Sequence, residues 1–185
     1  FKIVDNKLQV AKGLDFEKAA SHTIKVDAID VGGNVTTKTI TIGVKDVNEA
    51  PVITSNKGGS TASVSVSENK TAVTTVAATD PEKKALTYSI SGGADASLFK
   101  IDAKSGVLTF KSAPNFENAK DVGKNNVYDV TVKASDGSLS DTQAIKVTVK
   151  DVNEAPASVK LSNATVKENT KIGTTIGTFS ATDPD

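Results

Sequence analysis

The chain contains no cysteine, which excludes a disulfide framework and a thiolate zinc site. Methionine and tryptophan are also missing, and His22 is the single histidine. A zinc centre would therefore lack its usual nitrogen and sulfur donors, and a sugar-binding face would lack an indole platform. His22 reads as a strand or loop residue, not as a ligand or base. Acids and bases balance at 22 each, so no net field points to nucleic acid or a membrane. Six Phe and two Tyr with dispersed basic residues give little for base stacking. No apolar run approaches the ~20 residues that span a bilayer. Glycine-rich phosphate loops are absent too: the lysine pair Lys83–Lys84 follows Glu82 without one. Starting at Phe1 without any methionine, the chain is expected to be an internal segment of a longer protein.

What is present is repetition. KDVNEAP occurs at Lys45–Pro51 and again at Lys150–Pro156, 105 residues apart. FKIVDNKLQVAKGLDFE from Phe1 aligns with FKIDAKSGVLTFKSAPNFE from Phe99, and KENTKIGTTIGTFSATDPD at the end aligns with SENKTAVTTVAATDPE from Ser67. This phasing makes 1–51 the back half of one repeat, 52–156 a complete repeat and 157–185 the opening of a third. Only the middle unit is expected to be autonomous, with each flank exposing an apolar face.

Within the unit, apolar residues alternate with polar ones, the period of a half-buried strand. Tyr128, Val130, Val132 and Ala134 alternate with Asp129, Thr131 and Lys133; Ile145, Val147 and Val149 follow the same rule. Further short strands are predicted at Val64–Val66, Val73–Ala77, Leu86–Ile90, Phe99–Ile101 and Val107–Phe110, punctuated by the turns Ser91–Gly93, Lys104–Gly106 and Asp136–Ser138. About seven short strands in roughly 100 residues, without an amphipathic helix, predict an all-β fold: tandem immunoglobulin-like Greek-key β-sandwiches.

The acids recur at strand ends and loops. They appear as EN (Glu68–Asn69, Glu168–Asn169), DFE or NFE (Asp15–Glu17, Asn115–Glu117), DPE or DPD (Asp80–Glu82, Asp183–Asp185), the aspartates Asp30 and Asp136, and DVNE. Two like charges about 4 Å apart at an effective dielectric near 20 repel by roughly 4 kcal/mol, so a fold that gathers them needs a cation or solvent between them. Calcium, which takes about six to eight oxygens in flexible geometry, suits this inventory better than magnesium or zinc.

These five motifs in register resemble the cadherin extracellular repeat, and the resemblance covers the whole chain. It implies calcium ions enclosed at each junction by the linker and both flanking repeats. At the first junction it implies ligands Asp15 and Glu17, the linker's Asp46, Asn48 and Glu49, then Asp80, Glu82 and Asp136. At the second it implies Glu68 and Glu117, the linker's Asp151, Asn153 and Glu154, then Asp183 and Asp185. Asp30 would serve a junction before Phe1. The departures are specific. Glu49 and Glu154 replace the more usual linker aspartate, Asn115 replaces an aspartate, the DPEKKALTYS loop is short, and the tryptophan of strand-swapping cadherins is absent. Short loops and the VNEAP linker are more similar to cadherin-like repeats of large bacterial surface or secreted proteins.

The expected function is a calcium-rigidified, extracellular or cell-surface segment of an adhesin-like protein. Its expected partners are calcium ions, neighbouring repeats of the same chain, and another adhesin or a surface glycan. The alternative is a carbohydrate- or protein-binding sandwich with merely structural calcium. Acids that recur once per repeat fit a structural ligand set better than a catalytic pair, so no enzyme activity is expected.

Overall fold

A computed structural model describes all of residues 1–185. Its strands run β1 (Lys2–Val4), β2 (Lys7–Gln9), β3 (Ser21–Ile29), β4 (Val35–Gly43), β5 (Val52–Ile53), β6 (Thr61–Ser67), β7 (Ala72–Thr75), β8 (Ala78–Thr79), β9 (Thr87–Gly92), β10 (Phe99–Ile101), β11 (Val107–Phe110), β12 (Val127–Ser135), β13 (Ser140–Lys150), β14 (Ala157–Leu161) and β15 (Phe179–Thr182). Two single-turn 3-10 segments, at Ser55–Lys57 and Ala96–Leu98, are the only helical elements.

Between Val52 and Lys150 the strands form two packed sheets, one of order β6-β13-β12-β9 and one of order β10-β11-β7. β13 runs antiparallel to β12 and parallel to β6, which returns the last strand of the unit beside its first long one. Pleat alternation supplies the core. Tyr128, Val130, Val132 and Ala134 of β12 point inward beside Ile145, Val147 and Val149 of β13, opposite Leu108 and Phe110 of β11 and Phe99 of β10. Phe99 stacks on Phe110 at 4.4 Å, and Tyr128 meets both rings edge-on. All 20 buried residues lie between Pro51 and Val149.

The seven predicted strands are present, with two additions. β5 and β8 pair through only Val52↔Thr79 and Ile53↔Ala78, too short for an alternation pattern to register. β13 also begins five residues before the predicted Ile145. There Gln143 occupies an inward position, fully buried, which breaks the apolar pattern. Its amide is satisfied: Nε2 donates to the Gly59 carbonyl at 3.0 Å, and Oε1 accepts from Asn56 Nδ2 at 3.2 Å, so a polar group is held in the core without an unpaired atom.

The flanking segments are two-stranded antiparallel pairs. β1 pairs with β2, β3 with β4, and β14 with β15. Ile3, Leu8, Val35, Val159 and Phe179 on them are exposed. His22 sits half-buried on β3, edge-on to Phe1 at 5.8 Å, remote in kind from any ligand set.

Gly106 closes the β10–β11 turn at φ +70°, where a Cβ would stand 2.1 Å from the Val76 carbonyl oxygen. Left-handed strain alone costs about 1–3 kcal/mol. Gly106→Ala is therefore expected to lower the free energy of unfolding in urea by at least that amount, while Gly137→Ala, also left-handed but with open space at the Cβ, should show the strain component without the clash.

Candidate metal centre

Each DVNEAP segment lies outside regular structure. Proline biases the residue before it towards extended backbone, so Ala50 and Ala155 cannot continue into a helix and the linker side chains fan out towards both neighbours. Each linker asparagine turns its Nδ2 onto the carbonyl of the next residue: Asn48 to Glu49 at 3.3 Å and Asn153 to Glu154 at 3.0 Å. Repeated residues thus give a repeated conformation.

At the first junction the ligating oxygens of Glu17, Glu49 and Glu82 lie within 4.8 Å of one another. Each comes from a different part of the chain: the segment before β3, the linker and the loop after β8. The Glu49 N–H donates to Glu82 Oε1 at 3.2 Å. Beside them, Asn48 Nδ2 donates to Asp136 Oδ2 at 2.7 Å, and Asp136 Oδ1 accepts from the Ser138 and Leu139 N–H groups. Asp80 Oδ1 accepts the Lys84 N–H at 3.0 Å.

At the second junction Glu68 is buried at 1% exposure, accepting the Phe116 N–H at 2.7 Å and the Val152 N–H at 2.9 Å. It groups with Glu117 and Asp151, and Glu117 is shared with a second group containing Glu154 and Asp185. The Glu154 N–H donates to Asp185 Oδ2 at 2.8 Å, as Glu49 does to Glu82. The linker contacts repeat from one junction to the other.

Not every predicted residue joins these groups. Asp15 turns to its own loop, accepting Lys18 N–H at 2.9 Å and Lys18 Nζ at 2.8 Å. Asp46 is exposed and stands outside the carboxylate groups, as does Asp183, whose Oδ1 accepts the Asp185 N–H. Asp30 caps the β3–β4 loop through Asn34 N–H and Nδ2, at 2.8 and 2.9 Å. Two residues outside the predicted set touch the groups. Asn69 Nδ2 donates to Glu154 Oε1 at 2.5 Å from a left-handed backbone position that asparagine tolerates, and Lys84 Nζ reaches Asn48 Oδ1. The second half of EN was the visible signal for Asn69; Lys84, the second lysine after DPE, gave none.

Electrostatics at these groups follow from crowding. The Glu82 carboxylate, burial and the Glu17 charge hold Glu49 above its ordinary pKa of 4.5. Burial alone would raise Glu82, but hydrogen bonds from Glu49 leave it below its usual value. The Asn69 amide draws Glu154 down, yet burial, the Asp185 carboxyl and the charges of Glu68 and Glu117 outweigh it, and Glu154 sits high. Backbone N–H groups of Leu139 and Ser138 and the Asn48 amide hold Asp136 down at about 2. Lys18 lowers Asp15, and Asn34 lowers Asp30.

Whether a cation fits is decided by the oxygens left over. Asp80 Oδ2, Glu82 Oε2 and Glu154 Oε2 are shut off from solvent and have no hydrogen-bond partner. Buried carboxylate oxygens with no donor are costly unless paired. All are hard anionic donors, accompanied by amide carbonyls and linker backbone, the set that calcium accepts and zinc does not. The residues present fit a hard divalent ion at both junctions.

The cadherin domain family matches residues 62–150. The chain carries a cadherin-type extracellular repeat. Over 202 residues it is 34% identical to protocadherin Fat 4 of Mus musculus, covering 98% of this chain and 4% of that protein. With protocadherin gamma-A4 of Homo sapiens it shares 33% over 193 residues, 97% of this chain and 19% of the other. Among solved structures, protocadherin gamma B7 extracellular cadherin domains 1–4 superpose with a TM-score of 0.58 at 25% identity, covering 94% of this chain and 43% of that one. Human CDH23 EC21-23 superposes at 0.60 with 23% identity, over 95% of this chain and 58% of the other, which supports the fold. The chain thus spans between 4% and 24% of the length of these curated relatives. Its cadherin repeat is of the extracellular, cell-surface type, an all-β immunoglobulin-like sandwich, and no helix is long and apolar enough to cross a membrane.

Proposed function

We propose that calcium binds at both junctions and stiffens the chain as part of an extracellular rod in an adhesin-like protein. The observation carrying this reading is the set of solvent-excluded carboxylate oxygens without a donor: Glu82 Oε2 and Glu154 Oε2, each within a carboxylate group at its junction, and Asp80 Oδ2 from the same loop as Glu82. Without the ion, Glu17 repels Glu49 and Glu82, Glu117 repels Glu154 and Asp185, and each linker is free to pivot. With it, oxygens from two repeats and the linker between them share one charge centre, and the angle is held. Units 1–51, 52–156 and 157–185 are the rigid bodies so joined.

Glu17, Glu49 and Glu82 would hold the ion of the first junction with Asp80, and Glu68, Glu117, Asp151, Glu154 and Asp185 those of the second. Asp15, Asp46, Asn153 and Asp183 would complete the shells. Calcium supplies charge neutralisation and multivalent oxygen coordination, a structural role. The partners are calcium, neighbouring repeats and a second adhesin molecule. Extracellular calcium modules commonly bind at about 10⁻⁴–10⁻³ M.

Titration calorimetry of the 185-residue chain is expected to show saturable calcium binding at both junctions. Glu82→Gln should remove the heat of the first and Glu154→Gln that of the second. An isotherm without heat, or one that neither substitution changes, overturns the reading.

Protons should compete with the ion. Because Glu49 and Glu154 are held above their ordinary 4.5, they take up protons earlier than free carboxylates as pH falls, and calcium affinity in acid is expected to be several-fold weaker than at pH 7. Asp136 remains ionised until about pH 2, so a binding curve that changes only below pH 3 would assign the competition to the wrong carboxylates.

A further inference from the structure

The first junction already contains a cation of its own. Lys84 Nζ bonds Asn48 Oδ1 and stands 3.7 Å from Asp136 Oδ2, whose side chain is wholly buried. Asn48 Nδ2 bonds that same Asp136 oxygen at 2.7 Å, so lysine, asparagine and aspartate close a three-membered network at one edge of the junction. The lysine is aimed by its own backbone: Lys84 N–H donates to Asp80 Oδ1, and Lys83 before it adopts a left-handed φ of +59°. Its side chain is 43% exposed, so it enters from solvent and is not packed in the core.

We propose that Lys84 is a tethered monovalent cation that closes the Asn48–Asp136 corner to a divalent ion, leaving the first junction to load calcium only on its Glu17–Glu49–Glu82 side. Three physical facts favour this. Asp136 Oδ1 already accepts the Ser138 and Leu139 N–H groups, and the ammonium and the Asn48 amide engage the remaining side-chain oxygens of the corner, Asn48 Oδ1 and Asp136 Oδ2. An ammonium a few ångströms away repels a divalent ion twice as strongly as it would another monovalent one. A lysine on a short turn is held by the chain itself, so its local concentration does not fall when external calcium does. The lysine thus sets how many ions this junction takes, and it keeps the corner neutralised in their absence. The inference rests on the calcium reading above.

The test compares the 185-residue chain with its Lys84→Gln and Lys84→Arg variants. Native mass spectrometry at millimolar calcium is expected to count one more bound ion on Lys84→Gln than on wild type, with Lys84→Arg, which keeps the charge, at the wild-type count. In EDTA, Lys84→Gln should melt below wild type because Asp136 loses its counter-charge; in calcium it should melt level with wild type or above it. Equal ion counts on wild type and Lys84→Gln, with calcium bound to both, overturn the role of Lys84 alone. If neither protein binds calcium, the junction reading and this inference fail together, and the EDTA melts then report only a surface ion pair.

Discussion

Saturating calcium is expected to raise the unfolding midpoint of this chain markedly, and EDTA to return it. Calcium at about 100 times its dissociation constant adds about 2.7 kcal/mol per independent site. In a unit of roughly 100 residues, each kcal/mol moves the melting temperature by about 4–8 °C, so a single loaded site corresponds to a rise of about 10–20 °C. Coupling to the core is direct. Glu82 follows β8, while Glu68 ends the loop-capping contact to Phe116 and Val152 and Glu117 is the neighbour of half-buried Phe116. Losing the middle unit dissolves both carboxylate clusters, so ions bound there resist its unfolding. Differential scanning calorimetry in calcium and in EDTA measures the shift; coincident midpoints would show that the ions, if bound, do not distinguish folded from unfolded chain.

The pH dependence of the calcium-free form has a definite sign. Glu49 and Glu154 have folded-state pKa values above their ordinary 4.5. Their contribution is therefore fully present below 4.5 and is lost as pH rises through the folded values. Asp136 runs the other way: lowered to about 2 from 3.8, it contributes above 3.8 and loses that contribution as pH falls towards 2. In EDTA, stability is expected to peak in mildly acidic buffer and decline towards neutrality, whereas calcium should abolish the neutral decline by neutralising Glu49 and Glu154. Melts across pH 3–8 in both buffers check the crossover.

Most of the sandwich was legible because its buried strands alternate strictly. Tyr128 to Ala134 and Ile145 to Val149 announce their faces by pattern alone, and the aromatic cluster of Phe99, Phe110 and Tyr128 follows from register. Gln143 was not legible: a polar residue in the core depends on the Ser55–Gly59 turn, which is 84 or more residues away in sequence. The site was legible as composition and less so as geometry. Repeated acids identified the linkers and the residues around them, yet which carboxylates converge depends on local competition. Asp15 is taken by Lys18 three residues on, and Asp30 by Asn34 four residues on, short-range pairings that spacing between repeats does not reveal. Lys84 was hidden for a different reason. A lysine after an acidic motif resembles an ordinary solvated charge until the fold brings Asn48, 36 residues earlier, against it.

The largest loss from a single substitution is expected at Phe110→Ala. Phe110 is 2% exposed, stacked on Phe99 at 4.4 Å and edge-on to Tyr128 at 5.1 Å. Removing a buried phenylalanine costs about 3–5 kcal/mol, against a total stability of about 5–15 kcal/mol for a typical domain. Phe179→Ala supplies the contrast: its ring is 72% exposed, and surface substitutions usually change stability by less than about 0.5 kcal/mol. Urea titrations in EDTA should separate the two by several kcal/mol, and equal losses would mean that the core does not lie where the alternating strands put it. The same pair tests how the junctions depend on the fold. Phe110→Ala loosens the unit that holds Glu68, Glu82, Glu117 and Asp136, so its calcium affinity should fall at both junctions together, while calcium in excess should recover part of its stability by mass action. A carboxylate substitution at one junction cannot do this, because it removes ligands without disturbing the scaffold that presents the others.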